Sequence, residues 1–122
     1  MSREYILAGE QYDKALLTAR NAGHYPALIE ALSSRGRWAA RYINNPNAAF
    51  NALEEALNAA ITHGYRLYEV DIRIGLAWAH LSIGSNSISK EEAEYARQMR
   101  KDIGYYWGEK DSEEVLAKIE TI

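Results

Sequence analysis

The same punctuation recurs three times along this chain: Ala22-Gly23-His24-Tyr25, His63-Gly64-Tyr65-Arg66 and Ile103-Gly104-Tyr105-Tyr106, with the glycines 41 and 40 residues apart. Other positions keep the offset. Ala15, Ala56 and Ala96 each lie eight residues ahead of a repeated glycine, Trp38 pairs with Trp78, Glu69 with Glu109, and Asp71 with Asp111. A period of this length is the mark of stacked helix pairs, in which no unit buries its apolar face alone and neighbours complete the core. The expectation is one all-α domain over residues 1–122: a solenoid of antiparallel helix pairs with a period of 40 to 41 residues, about two and a half units. Its units fall near 1–23, 24–64 and 65–104, with a partial unit at 105–122.

Composition narrows the function classes. With 122 residues, 48% apolar and 25% charged, the chain has the make-up of one folded domain. A formal charge of −3 offers no overall attraction to phosphate backbones or anionic lipid, so neither nucleic acid nor a membrane is the expected partner. Cysteine is absent, which removes disulfides and thiolate chemistry and fits a reducing compartment, so the expected location is cytoplasmic. No window approaches the ~18 consecutive apolar residues of a membrane span.

Within each unit the second helix of one pair and the first of the next are separated by recognisable signals. The repeated glycines suit the left-handed position after a helix end, and the aromatic residues after them suit a packing contact back onto that helix. Pro26 and Pro46 mark first turns, while Ser89-Lys90-Glu91-Glu92 and Asp111-Ser112-Glu113-Glu114 read as capping boxes. The predicted helices are 2–8, 10–22, 26–43, 46–63, 66–83, 89–103 and 111–121. In the fifth of these, Val70, Ile74, Ala77 and Leu81 share a face that Ile72, Leu76 and Ala79 widen, so it must be covered on two sides. The next helix carries only Ala93, Ala96, Met99 and Ile103 as an apolar stripe and is an outer, one-faced helix.

The ends carry a second expectation. The closing stretch presents Val115, Leu116 and Ile119, apolar residues that a terminal repeat would be expected to cover. They are candidates for self-association, and a homo-oligomer through the last helix is the alternative to binding a foreign partner.

Gly9-Glu10-Gln11-Tyr12-Asp13-Lys14-Ala15 contains Gly-x-x-Tyr-x-x-Ala and resembles the inter-helix turn and early second helix of tetratricopeptide repeats. The period departs from that family's usual unit, so the likeness is tetratricopeptide-like and not a consensus repeat. The stretch from Gly64 to Asp71, followed by Gly75-Leu76-Ala77-Trp78-Ala79-His80-Leu81, is similar to the longer repeats beside the motor of bacterial signal-transduction ATPases of the NACHT and related classes. The resemblance implies a right-handed solenoid and a recognition role within a signalling protein. No phosphate-binding Gly-x-x-x-x-Gly-Lys-Ser/Thr pattern occurs in these residues.

Catalytic chemistry finds no constellation in the sequence. None of His24, His63 and His80 lies four residues from another histidine, so no helical metal pair is expected. His63, directly before Gly64, reads as a helix C-terminal residue, where the dipole favours a cation. Adjacent acids such as Glu54-Glu55, Glu91-Glu92 and Glu113-Glu114 point about 100° apart on a helix and read as solvated faces. Ser33, Ser34, Ser82 and Ser85 lack a nucleophile elbow. No catalytic residue, metal site or cofactor is expected, and the chain is not read as an enzyme.

One stripe does suggest function. Tyr68, Asp71, Gly75, Trp78 and Ser82 recur at helical spacing, and a shift of 40 residues gives Leu28, Ala31, Arg35, Trp38 and Tyr42. Side by side, the two stripes would bring together Arg35, Trp38, Tyr42, Tyr68, Asp71 and Trp78, a surface able to grip a protein or peptide. The plainer reading has both tryptophans packed between helices while Arg35 and Asp71 pair across units.

Overall fold

Glycine decides where three of the helices stop. Gly23, Gly64 and Gly104 adopt left-handed backbone, with φ of 63°, 73° and 72°, and their N–H groups donate back to the helices they close. Only glycine takes this conformation cheaply, so the repeated punctuation is a set of helix ends. The computed structural model describes residues 2–104 and 107–120, with side chains over 2–104 and 112–120. Its helices are α1 (Arg3–Ala22), α2 (Tyr25–Trp38), α3 (Pro46–His63), α4 (Arg66–Ser82), α5 (Asn86–Ile103) and α6 (Trp107–Glu120), and a π-helical turn, Ala39–Ile43, extends α2. Among the described residues there is no strand.

Both prolines sit in first turns, where a missing N–H costs nothing. Beside them the Ala27 N–H donates to His24 Nδ1 and the Ala48 N–H to Asn45 Oδ1, each at 3.2 Å. Every helix packs on its successor, α2 also meets α4, and α4 meets α6. Helix α4 is therefore central, and its Val70, Ile72, Ile74, Leu76, Ala77 and Ala79 are all buried. Helix α5 buries only one stripe of apolar side chains, Ala93, Ala96 and Met99.

Close approach between helices has its own glycines. A Cβ on Gly36 of α2 would lie 2.5 Å from Leu53 Cγ, and one on Gly75 of α4 would lie 2.9 Å from Leu53 Cδ2. Leu53 of α3 thus fills the space that two glycines leave open. Gly9 does the same for Trp38, whose Cη2 would meet an added Cβ at 2.7 Å.

That contact overturns one expectation. Helix α1 runs unbroken from Arg3 to Ala22, so the Gly-x-x-Tyr-x-x-Ala motif is not an inter-helix turn; Gly9 lies in mid-helix because Trp38 needs the room. Two capping boxes are also displaced. Helix α5 already begins at Asn86, and buried Ser89 donates through Oγ to the Ala77 carbonyl at 2.6 Å, tying α5 to α4. Helix α6 begins at Trp107, so residues 111–114 lie inside it. The expectation for Tyr105 and Tyr106 lies outside the described residues.

The open apolar end is also corrected. Val115 is fully buried and Leu116 is 8% exposed, both in a cluster with Ala77 of α4 and Ala93 of α5, and half-buried Ile119 packs alongside. The face considered for self-association is largely covered within the chain.

His80 sits edge-on to Phe50, with ring centroids 4.8 Å apart, and its Nδ1 is buried without a partner among the described residues. Burial pushes its imidazole pKa below the ordinary value near 6.5, against the opposing pull of Glu92 and Glu54. Between the lowered folded value and 6.5 the unfolded chain holds a proton that the folded chain refuses, so stability rises with pH across that window. This contribution is fully present above 6.5 and is lost as pH falls through the folded value. Urea unfolding of the His80→Gln variant should lose this part of the slope; an unchanged slope would mean that His80 does not cause it.

Candidate functional site

The π-helical turn shapes one wide cleft. After Trp38 the backbone leaves the α register for five residues, and Asn44, at φ 54°, ends the turn. Such turns shift side chains out of α-helical order and are frequent at functional sites. Here the turn carries Arg41 and Tyr42. The Arg41 guanidinium lies over the Trp78 ring at 4.4 Å and within 5.5 Å of the Tyr42 ring centre. Tyr42, 52% exposed, stacks on Tyr5 of α1 with centroids 5.4 Å apart.

Two neighbouring spaces open around these residues. The larger, about 650 Å³, runs between the π turn, α4 and α6, past Ala40, Arg41, Tyr42, Trp78, Leu81, Ser82, Glu114, Ala117 and Lys118. The smaller, about 180 Å³, lies between α1, α2 and α4 and is lined by Tyr12, Ser34, Arg37, Trp38, Arg41, Tyr42, Ile74 and Trp78. Arg41, Tyr42 and Trp78 border both. Tyr12 meets the Trp38 ring edge-on at 6.0 Å, which helps hold the indole at the cavity wall. Arg41 and Glu114 approach to 3.7 Å across the larger space.

The six residues of the sequence stripe do not all meet. Trp38, Tyr42 and Trp78 come together, as the stripe required. Arg35 instead pairs with Asp13 of α1, its Nε 2.7 Å from Oδ1, and lines a separate depression bordered by α3. Tyr68 and Asp71 border a third depression with Tyr65 and Ile103. Tyr68 and Asp71 precede Trp78 by ten and seven residues, which places them about 15 and 10 Å further along the helix axis. The stripe is longer than any one cavity.

Sequence reasoning missed Arg41, Arg37, Tyr12 and Glu114. A signal for the first two was present: Arg35, Arg37 and Arg41 fall within seven residues around Trp38, a local basic cluster that the net charge of −3 conceals. The acidic doublets were also under-read. Glu55 pairs with Arg20 at 2.8 Å, Glu92 with Arg73 at 3.1 Å, and Glu114 with Arg41, so one member of each doublet reaches another helix.

Among the described residues, no group of three His, Asp or Glu side chains is placed to hold a metal ion, and no helix is long and apolar enough to cross a membrane. No family model and no curated protein matches the chain. Its functional reading therefore rests on this geometry.

Proposed function

We propose that the chain is a protein-binding module that grips an extended peptide segment in the cleft between the π turn, α4 and α6. The observation that carries this reading is the convergence of Trp38, Tyr42 and Trp78 with Arg41 around two neighbouring spaces open to solvent. Aromatic and arginine side chains supply most of the energy at protein interfaces because they combine large apolar area with a polar handle. The floor, with Ala40, Leu81 and Ala117, offers apolar surface to side chains of the bound segment. On this reading the chain is a tetratricopeptide-like repeat with a 40 to 41 residue period, whose α2–α4–α6 row faces the ligand. The resemblance to repeats beside signal-transduction ATPases makes it a recognition arm of a larger signalling protein and not an enzyme.

Peptides selected from a random display library against the immobilised protein provide the test. Trp78→Ala should weaken the selected peptides by about 30-fold or more, the scale of an interface hot spot. Leu17→Ala, on an exposed position of α1, should leave them unchanged, and circular dichroism should show both variants folded. Selected peptides that bind the folded Trp78→Ala variant as tightly as the parent would refute the reading.

A further inference from the structure

The small cavity beside the cleft is bordered by residues that carry unmet hydrogen-bond donors. Arg37 Nε, Trp38 Nε1 and Trp78 Nε1 are all buried, and none has a hydrogen-bond partner among the described residues. All three belong to residues that line this one space. Indole and guanidinium nitrogens are donors only, so rotating the side chains cannot make them satisfy one another. A buried donor left unmet is destabilising, more so when it is charged, and pairing is what native interiors supply almost everywhere else.

Charge points the same way. Among the described residues, Arg37 and Arg41 both line the cavity, no acidic residue does, and Arg37 has no ion-pair partner. Arg41 has one contact with Glu114, at 3.7 Å, beyond hydrogen-bond length. A lining of this kind is complemented by an acceptor with no donor of its own and a negative charge. An ionised carboxylate has that inventory: two oxygens, no N–H or O–H, and planar geometry that suits guanidinium. The cavity volume of about 180 Å³ admits a short acidic side chain.

Resting on the peptide-binding reading above, we infer that the bound segment inserts an internal aspartate or glutamate side chain between Trp38 and Trp78, where Arg37 and Arg41 neutralise it. An internal residue is favoured because the cavity shares Arg41, Tyr42 and Trp78 with the longer cleft. A chain running along the cleft can drop one side chain into the cavity and continue past it. The larger space supplies the apolar contact and the smaller one the charge selection.

The experiment uses library peptides displayed between fixed flanking sequences, so that no free terminus is presented. The best binders are then synthesised with acetylated and amidated ends, and binding to the full chain is followed by calorimetry. The binders should share one Asp or Glu beside a large apolar residue. Changing that acid to its amide should weaken binding about tenfold or more, the scale of a charge-assisted hydrogen bond. Arg37→Gln should weaken the acidic peptide similarly and leave the amide peptide little changed, so that acid and amide bind alike. Arg41→Gln, on the exposed turn, repeats the comparison should Arg37→Gln fail to fold. Binders that need Trp78 but are indifferent to acid-to-amide exchange would overturn the carboxylate inference and leave the cleft reading standing. Binders that ignore Trp78, or a selection that yields none, would overturn both.

Discussion

Replacing Leu53 by alanine is expected to lower the unfolding free energy by about 3–5 kcal/mol, the upper part of the range for buried leucines. Leu53 is fully buried and touches Gly36 of α2 and Gly75 of α4, the two places where those helices offer no side chain of their own. Neither glycine can extend into the space that the lost isobutyl group leaves, and Ala49 and Ala56, its neighbours on α3, are too short to fill it. A domain of this size is stable by only about 5–15 kcal/mol, so the variant should lose a large share of its margin. Urea denaturation followed by circular dichroism measures the loss.

A companion variant makes the explanation specific. In the parent, the methyl of Gly36→Ala would lie 2.5 Å from Leu53 Cγ and 3.3 Å from the Ala49 carbonyl oxygen. Overpacking of this kind costs about 1–3 kcal/mol, which the better helix propensity of alanine offsets only in part. In the Leu53→Ala background the same methyl enters vacated volume. The double variant should then be more stable than the sum of the single losses implies, by about 1 kcal/mol or more. Strict additivity would show that Leu53 and Gly36 do not share one packing space.

These glycines also explain what could be read in the sequence. Gly23, Gly64 and Gly104 follow helical patterns and precede aromatic residues, so local rules identify them as helix ends, and they are. Gly9 carries the same letter, but its cause is the ring of Trp38, 29 positions later, and no local rule contains that fact. The apolar faces of α4 and α5 were legible because periodicity is a local property with a global consequence. Ser89 with Glu92 has the letters of a capping box, yet Ser89 bonds to Ala77 and Glu92 to Arg73, both on α4. Competition between a cap and a tertiary bond is settled by packing.

The candidate site follows the same division. Trp38, Tyr42 and Trp78 were found because helical spacing and the repeat offset both point to them. Arg41 was passed over because an unbroken helix from 26 to 43 was expected, whereas the π turn sets the register that brings it over Trp78. Arg35 enters the stripe through the 40-residue offset from Gly75, ahead of the π turn. Asp13, which engages it, lies in a helix expected to belong to another pair.

Arg73→Ala is the second large effect, and it tests how α4 is joined to α5. Arg73 Nε donates to Glu69 Oε2 at 2.9 Å, its NH1 donates to Glu92 Oε2 at 3.1 Å, and the guanidinium lies 4.2 Å from the centre of the Tyr95 ring. Burial works to lower the Arg73 pKa, but its hydrogen bonds to Glu69 and Glu92 and their negative charges outweigh it and hold the guanidinium above its ordinary value. The three side chains are 17%, 12% and 21% exposed, so water screens them only weakly. Removing one partner of a buried pair costs about 3–5 kcal/mol, and partial exposure here reduces that to about 2–4 kcal/mol. Much of the loss comes from the two carboxylates left facing each other without a cation, not from the absent contact alone. The triple variant Arg73→Ala, Glu69→Gln, Glu92→Gln should therefore recover part of the stability lost in Arg73→Ala, although it removes more native groups. Arg97→Ala, at an exposed position of α5, is the reference and should change stability by less than about 0.5 kcal/mol. An Arg73→Ala loss no larger than that reference would mean that the ion triad contributes nothing to holding α5 on α4; a large loss without recovery in the triple variant would assign the effect to the packing of the arginine stem and its contact with Tyr95.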